Sequence, residues 1–330
     1  MDIDFVILWV NGNDPKWKEE FEKHSSTPNI STEHRDWDNM HYIFRAFEEF
    51  TPWVRKIHFV TWGHLPKWLN KNHPKLHIVN HTDILNEINQ PVFNSNAIEP
   101  NIHKINDLSE QFVLFNDDCF LTSPIKPDRF FKNNLPCDAF ISNTLSSSAG
   151  VGHFVLNNLE ILNCHFSKRK AYKENIFKVF SRNYSFSDNI RNLALLPWPR
   201  FTGFIDPHQP QPFLKSTFEE VWNKEKEILE QTSASKVRAC TDINQYLFRY
   251  WQLAQGRFVP ISMKDTAYEE ITMENITSGK IEKLISSPNY KMVCLNDTED
   301  MNNKENFNHA KEVIQSYFDK ILPLKSSFEK

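Results

Sequence analysis

With 330 residues, 40% hydrophobic and 24% charged, the chain has room for one large domain, or a core domain with a subdomain, and for a substantial buried core. Its formal net charge of −4 lacks the basic excess of a nucleic-acid-binding protein, so no nucleic-acid partner is expected. Seven glycines, with neither G-x-G-x-x-G nor G-x-x-x-x-G-K-[ST], exclude a glycine-loop nucleotide binder.

The chain opens on a continuous apolar run, Ile3–Val10, which is the pattern of a strand covered on both faces. Residues 36–50 place Met40, Ile43, Phe44, Phe47 and Phe50 at helical spacing, and Thr51-Pro52 ends that helix. Lys56–Trp62 predicts a second strand, Leu65–Asn70 a short helix, and Leu76–Asn80 a third strand. A helix over roughly 96–108 then precedes a fourth strand at Gln111–Asn116. This alternation predicts an α/β domain with a mostly parallel sheet. After residue 140 the pattern changes. Ser142–Gly150 is a small, polar loop, residues 155–192 are helical, and Pro197–Pro212, with five prolines, is irregular. Helices follow at 215–231 and 241–254. The polar tail 265–330 carries a loop or disordered run at 296–308 and a closing helix near 309–321. The domain reading is an α/β core at 1–140, a helical region at 141–262, and a C-terminal extension at 263–330 that packs on the core.

The five cysteines, Cys119, Cys137, Cys164, Cys240 and Cys294, are odd in number and widely spaced without a C-x-x-C pair. That pattern fits neither a zinc site nor a disulfide framework, and a reduced cytosolic setting is the expectation. No signal-peptide pattern follows Met1, and no apolar run approaches the roughly 20 residues needed to span a bilayer. The sequons Asn29-Ile30-Ser31 and Asn275-Ile276-Thr277 therefore read as chance matches.

Position carries the functional argument. Asn11-Gly12, Trp62-Gly63 and Asn116-Asp117-Asp118 each follow a strand, and ligands of open α/β sheets sit beyond the carboxyl ends of strands. Polar residues also follow strands simply because loops are polar, so position alone does not decide. Two adjacent carboxylates capping a buried strand add weight, because their repulsion calls for a cation such as Mg²⁺ or Mn²⁺ carrying phosphate oxygens. Glu99 and His103, four apart, would share one face of the preceding helix. His208, Lys215 and Arg238 are candidate cations for a phosphate-binding cleft.

These residues match a known family. Ile3–Pro15 (IDFVILWVNGNDP) resembles the first conserved region of the Stealth proteins, sugar-1-phosphate transferases that build phosphodiester-linked capsules and cell-surface glycans in bacteria. The family includes the catalytic region of the animal enzyme that starts the mannose-6-phosphate tag. Arg35–Asp118 is similar to the second region, through RDWDNMHYIFRAFEEFTPWVRKIHFVTWGHLPKWL and PVFNSNAIEPNIHKINDLSEQFVLFNDD. His208–Trp251 looks like the third region, and Cys294-Leu295-Asn296-Asp297 resembles the short fourth. Leu8 and Ala46 depart from the family's usual residues without removing a chemical group.

The resemblance implies a Rossmann-like sheet of the GT-A type with a largely helical C-terminal half. It also implies transfer of hexose-1-phosphate or N-acetylhexosamine-1-phosphate from a UDP-sugar to a sugar hydroxyl, releasing UMP. The nucleophile would attack the β-phosphorus. Asp117 is the implied ligand of Mg²⁺ (or Mn²⁺), and Asp118 the general base. His208 and Arg238 would contact the donor phosphates, and Glu99, with His103, the acceptor sugar. Trp9, Asn11 and Gly12 would shape the nucleotide end of the cleft, lined also by Arg35, Asp36 and Asp38. The acceptor would be a glycan or lipid-linked oligosaccharide. The expected location is the cytoplasm, with peripheral contact at the inner membrane face, for which the C-terminal helix is the candidate, although it shows no strongly basic amphipathic face. The alternatives are a glycosyltransferase attacking the anomeric carbon and releasing UDP, and a non-enzymatic glycan-binding protein.

Overall fold

The apolar run at the start of the chain forms β1 (Ile3–Trp9), with six of its seven residues buried. The computed structural model describes residues 1–25, 34–146 and 152–330. The sequon at Asn29 and the end of the Ser142–Gly150 loop lie outside the described residues. β1 pairs in parallel with β2 (Ile57–Thr61) on one side and β4 (Gln111–Phe115) on the other, so that Phe5 stands opposite both Ile57 and Val113. β3 (Leu76–Asn80) extends the sheet beyond β2 in parallel. The second half of the chain adds β6 (Gln211–Leu214) antiparallel to β4, inside the stretch expected to be irregular; Pro212 fits this edge strand because an edge residue need not donate to a second neighbour. The order is β3-β2-β1-β4-β6. The chain winds outward from β1 to β3 and then returns to β4, so the β1/β4 boundary is a topological switch point, where such sheets open a crevice at their carboxyl ends.

Aromatic residues fill the main core. Phe5, Phe47 and Phe115 pack with ring centroids 4.7–4.9 Å apart. Phe47 lies on α2 (Met40–Phe50), which starts with the apolar spacing at Met40 and not at residue 36, because Asp38 takes a left-handed φ of 55°. The tail contributes directly to this core. β7 (Thr266–Glu270) and β8 (Met292–Asn296) form a second, three-stranded sheet with β5 (Cys119–Leu121), and Ile281, Met292, Ile314 and Phe318 join the same buried cluster as Phe5. The run expected to be loop at 296–308 holds the end of β8, a 3₁₀ turn at Glu299–Asn302 and the start of α6 (Lys304–Ile321), which Asn303 caps.

Several other elements differ from their sequence reading. Pro15–His24 is a helix, α1, with Asp14 accepting hydrogen bonds from the Lys16 and Trp17 amides and Pro15 in its first turn. Leu65–Asn70 is not helical; its backbone bonds to the C-terminus instead, Asn70 donating to Phe328 and Lys330 to Trp68. The helix expected at 96–108 is one α-turn, Ser95–Ile98, followed by a 3₁₀ helix, Glu99–Lys104. The helical stretch 155–192 is broken into α3 (Gly152–His165), two short helices, and α4 (Phe186–Ala194). The helix expected at 215–231 is split at Glu225, and the one at 241–254 is α5 (Tyr246–Ala254).

One buried charge fixes the start of the sheet. Asp4 is fully buried and accepts from Arg55 at 2.6 and 2.9 Å, from the Ser109 amide at 2.8 Å, and pairs with His58 Nε2 at 3.0 Å. Burial pushes its carboxyl up, but these partners outweigh it and hold the group below the usual carboxylate range. Breaking a buried pair by removing one partner costs about 3–5 kcal/mol. Asp4→Ala should therefore lose about 3 kcal/mol or more in urea unfolding at pH 7. A carboxyl depressed in the folded state stabilises above its unfolded value, so the loss should shrink as pH falls below about 4. A change under about 1 kcal/mol at pH 7 would show that the network contributes little.

Candidate active site

At the switch point lies a cleft of about 460 Å³, entered between the ends of β1 and β4. Trp9 and Val10 from β1 and its exit, Asn116, Asp117 and Asp118 from the turn after β4, and Asn296 and Asp297 from the end of β8 all line it. Glu99, His208, Arg238 and the segment Asn244–Tyr246 also line it.

Two strands of the second sheet hold Asp118. Cys119 and Cys294 stand opposite each other in β5 and β8, and their thiols lie 3.4 and 3.3 Å from the two Asp118 oxygens. Burial pushes the Cys294 thiol well above its ordinary range, so it stays protonated and donates. His208 Nε2 lies 3.1 Å from Asp118 Oδ2. Burial raises the Asp118 carboxyl and lowers the His208 imidazole, yet their mutual hydrogen bond and attraction reverse both shifts. Asp118 falls below, and His208 rises above, its ordinary value. Both shifts favour an imidazolium paired with a carboxylate.

A buried arginine brings His208 to this place. Arg249 on α5 is fully buried and uses all five of its N–H donors. It binds Asp138 at 2.8 and 3.0 Å, Asp206 Oδ1 at 2.9 Å, and the carbonyls of Ile205 and Ala139. The other Asp206 oxygen accepts from Tyr250, and Tyr246 donates to the Pro207 carbonyl at 3.2 Å. The strand-poor segment Asp206-Pro207-His208 is thus clamped at its backbone and side chain, and His208 follows.

Burial raises the other acids of the cleft. Burial, then the neighbouring charges of Asp118 and Asp36, push Asp117 up to about 8. Burial also raises Asp36. Glu99 rises to about 7, chiefly through burial, although the Gln245 amide donates to it at 3.2 Å. Asp117, Asp36 and Asp118 offer only oxygen to a cation, which is the donor chemistry of Mg²⁺ or Mn²⁺. A hard divalent ion would also relieve the repulsion that raises Asp117. Asp118, His208 and Cys294 also place potential ligand atoms within 4.8 Å of one another. That mixed O/N/S set suits zinc rather than magnesium, so a magnesium ion would sit on the Asp117 side.

Trp9, Arg35, Asp36, Glu99, Asp117, Asp118, His208 and Arg238 thus meet in one cleft, as read from the sequence. Five candidates do not line it. Lys215 begins the helix after β6, its amide donating to the Glu110 carbonyl at 2.9 Å. Asn11 forms the turn, its amide donating to His64 Nε2 at 2.8 Å. Gly12 donates to the His34 carbonyl at 3.0 Å, and a β-carbon there would come within 2.4 Å of that oxygen, so only glycine allows His34 to reach the cleft wall. Asp38 is exposed and pairs with Lys311 at 3.4 Å. His103 turns away because a 3₁₀ helix has three residues per turn, which takes positions four apart off a common face. It rests near Phe218 and Trp222, its pKa driven down to about 4 by burial. The sequence reading also missed residues that line the cleft. These are Trp17, Phe93, His34 and the buried His81, which burial lowers to about 3 and keeps neutral. Only the Asp14-Pro15 cap, which predicts α1 and hence Trp17, was available as a signal.

Comparison with known proteins now bears on this geometry. Residues 1–23, 33–138 and 282–330 match the Stealth protein conserved regions 1, 2 and 4. Over 99% of its length the sequence is 42% identical to a capsular polysaccharide phosphotransferase, WcwK, of Streptococcus pneumoniae, covering 98% of that protein. The chain belongs to the Stealth family. Stealth relatives include the receptor polysaccharide phosphotransferase WefC of Streptococcus gordonii, 38% identical over 99% of this chain and 98% of that one. They also include the exopolysaccharide phosphotransferase cps2G of Lactiplantibacillus plantarum, 37% identical over the whole of this chain and 96% of that one. This Stealth chain is a phosphotransferase. Among solved structures, mouse xyloside xylosyltransferase 1 is similar at 8% identity and a TM-score of 0.33, over 89% of this chain and 97% of that one, too weak a likeness to bear on mechanism.

The His208–Asp118 pair has a direct spectroscopic consequence. With Asp118→Asn, burial is left as the strongest influence on the imidazole, and the His208 pKa should fall below 6.5. A titration of the His208 ring protons by NMR checks this; an unchanged pKa would mean the two groups do not interact.

Proposed function

We propose that this Stealth chain transfers hexose-1-phosphate or N-acetylhexosamine-1-phosphate from a UDP-sugar to a sugar hydroxyl, releasing UMP, in the assembly of a capsular or other cell-surface polysaccharide. The observation that carries the reading is the Asp118–His208 pair at the β1/β4 switch point, flanked by Asp117, Glu99 and Arg238. A phosphoryl transfer of this kind requires an in-line nucleophile and neutralised phosphate oxygens, and little covalent help from the protein.

In this reading Asp118 takes the proton of the acceptor hydroxyl as its oxygen attacks the β-phosphorus. The bond from that phosphorus to the oxygen bridging it to the α-phosphate breaks, and UMP leaves with the bridging oxygen. His208 holds the Asp118 carboxylate in place and offers positive charge to the donor, together with Arg238. Glu99, balanced between its protonated and ionised forms near neutrality, accepts or donates a hydrogen bond to the acceptor sugar. The aromatic side chains Trp9, Trp17 and Phe93 give the cleft apolar surface suited to the nucleotide. Asp117 and Asp36 would hold Mg²⁺ or Mn²⁺, which when bound supplies charge neutralisation for the pyrophosphate. The reaction belongs in the cytoplasm, with a glycan or lipid-linked oligosaccharide as acceptor. No helix among the described residues is long and apolar enough to cross a membrane.

Incubation of the protein with a panel of UDP-sugars, acceptor glycan and Mg²⁺, followed by ³¹P NMR, should show UMP and a new phosphodiester resonance. Release of UDP instead would assign attack to the anomeric carbon and overturn the proposal. Asp118→Asn should lower turnover by roughly 10²- to 10⁴-fold with little change in UDP-sugar affinity, because the base acts on the acceptor. Arg238→Ala should cost about 10²-fold in turnover if its charge is spent on the transition state.

The metal assignment has a test independent of activity. A carboxyl raised to about 8 is largely protonated at pH 7, so a cation bound by Asp117 must displace that proton. Calorimetric Mg²⁺ titrations in buffers of differing ionisation enthalpy should show proton release at pH 7 that disappears well above pH 8. Asp117→Asn should abolish the release. Magnesium binding without proton release at pH 7 would place the ion elsewhere.

A further inference from the structure

One helix of the second half is turned inside out. On α4, Phe186, Ile190 and Leu193 fall on one face at i, i+4 and i+7, the spacing that ordinarily buries against a core. Here they are 82%, 48% and 59% exposed. The buried residue of the helix is the polar Asn192, whose amide donates to the Phe140 and Val179 carbonyls at 2.8 and 2.7 Å and accepts from the Ser142 amide. These three bonds fix the helix with its apolar face toward solvent. The segments on either side also expose large apolar residues. Phe177 is 90% exposed, and Trp198 51%. Lys168 ties down the chain after α4, its ammonium donating to the carbonyls of Leu195 and Trp198. Of the twelve large apolar side chains exposed among the described residues, seven lie between Ile176 and Trp198. A concentration of that kind marks a binding surface rather than the scattered exposure normal in soluble proteins.

The charge around the patch says what it binds. Between residues 166 and 200 the chain carries eight Lys and Arg against two Asp and Glu, while the whole protein has a net charge of −4. Arg169, Lys170, Lys173, Arg182, Arg191 and Arg200 are exposed. Of the two acids, Glu174 pairs loosely with Lys170, and Asp188 is occupied in the cap of α4 with Ser185. A second copy of this chain seated on the same face would set these cations against their own counterparts. An anionic lipid surface meets both requirements, since its headgroups take the cations and its acyl boundary takes Phe177, Phe186 and Leu193, with a tryptophan at interfacial depth.

We propose that the surface from Ile176 to Arg200, centred on the outward face of α4, docks the enzyme on an anionic lipid bilayer without crossing it. The C-terminal helix, the sequence-based candidate for membrane contact, cannot serve with its apolar face, because Ala310, Ile314 and Phe318 of α6 are buried in the main core. The docking surface does not rest on the identity of the donor nucleotide. It would bring the cleft to an acceptor carried on lipid, because α3, which precedes this segment, puts Phe154 in the cleft wall, and the chain after it leads to His208.

Flotation of the full chain with phosphatidylcholine vesicles, with and without phosphatidylglycerol, tests the proposal. Binding should require phosphatidylglycerol, weaken with added salt, and blue-shift a part of the tryptophan emission that Trp198→Phe removes. The double variant Phe177→Ser/Phe186→Ser should bind at least tenfold more weakly. The triple variant Arg182→Gln/Arg191→Gln/Arg200→Gln should bind roughly 100-fold more weakly. All these positions are exposed, and both variants should keep wild-type circular dichroism and wild-type phosphotransfer to a soluble acceptor, which separates this proposal from that of the reaction. Absence of binding by the wild-type chain, or equal binding by both variants, would refute the docking surface. A wild-type dimer that Phe177→Ser/Phe186→Ser converts to monomer, without vesicle binding, would assign the face to a second copy and equally overturn it.

Discussion

The geometry of the candidate active site hangs on the buried guanidinium of Arg249. A segment with prolines at 207, 210 and 212 cannot build its own regular hydrogen-bond ladder ahead of β6, so it must be held from outside. Arg249 does this with five bonds, two of them to the carboxylate of Asp138 and one to Asp206. The cost of burying three charges is high, and a hydrophobic substitute could stabilise the fold as well or better. What the ionic cluster provides is direction, since a planar fork satisfied on every N–H admits one placement of its partners. Burial lifts the Asp206 carboxyl to about 6 in spite of Arg249. His208 is two residues from Asp206, and its 3.1 Å contact with Asp118 inherits that placement.

From there the site is an exercise in opposing charges. Asp118 sits between two neutral thiols and an imidazolium and is held ionised, while Asp117, one residue earlier, has no such partner and is pushed toward protonation. Two neighbouring carboxyls thus take different states by virtue of their surroundings. The difference arises from topology, because Asp118 faces β5 and β8, whereas Asp117 faces Asp36. The antiparallel pairing of β5 with β8 is what sets Cys294 opposite Cys119 and brings the end of the chain to the active site.

The parallel sheet was legible because strands buried on both faces are unbroken apolar runs, and Ile3–Val10, Lys56–Trp62 and Gln111–Asn116 are such runs. β5 and β7 were not, since Cys-Phe-Leu is too short to show a period and Thr266–Glu270 is a half-exposed edge strand with polar side chains. Asp117 and Asp118 could be picked out by their place after an apolar strand. Their separate states could not, because the groups that set them, His208 and Cys294, lie 90 and 176 residues from Asp118. Glu99 and His103 show the limit of periodicity most directly. A four-residue spacing puts them together on an α-helix, and the 3₁₀ turn that the chain adopts instead sends them to different surroundings.

Net charge, too, concealed what matters. A chain at −4 holds an acidic cleft on one element set and a basic, apolar rim on another, and neither is visible in the sum. On the proposed function, the acidic cleft would need His208, Arg238 and a divalent ion to offset its local charge before a pyrophosphate could bind, so donor binding and metal binding would be coupled by electrostatics. The basic rim faces no such conflict. Its cations, Arg182, Arg191 and Arg200, are exposed in the same stretch of chain as Phe177, Phe186 and Trp198. Asn192 resolves the remaining difficulty, because an apolar helix face held toward water loses the contacts that ordinarily fix its rotation. Three buried hydrogen bonds supply that orientation from the polar side instead.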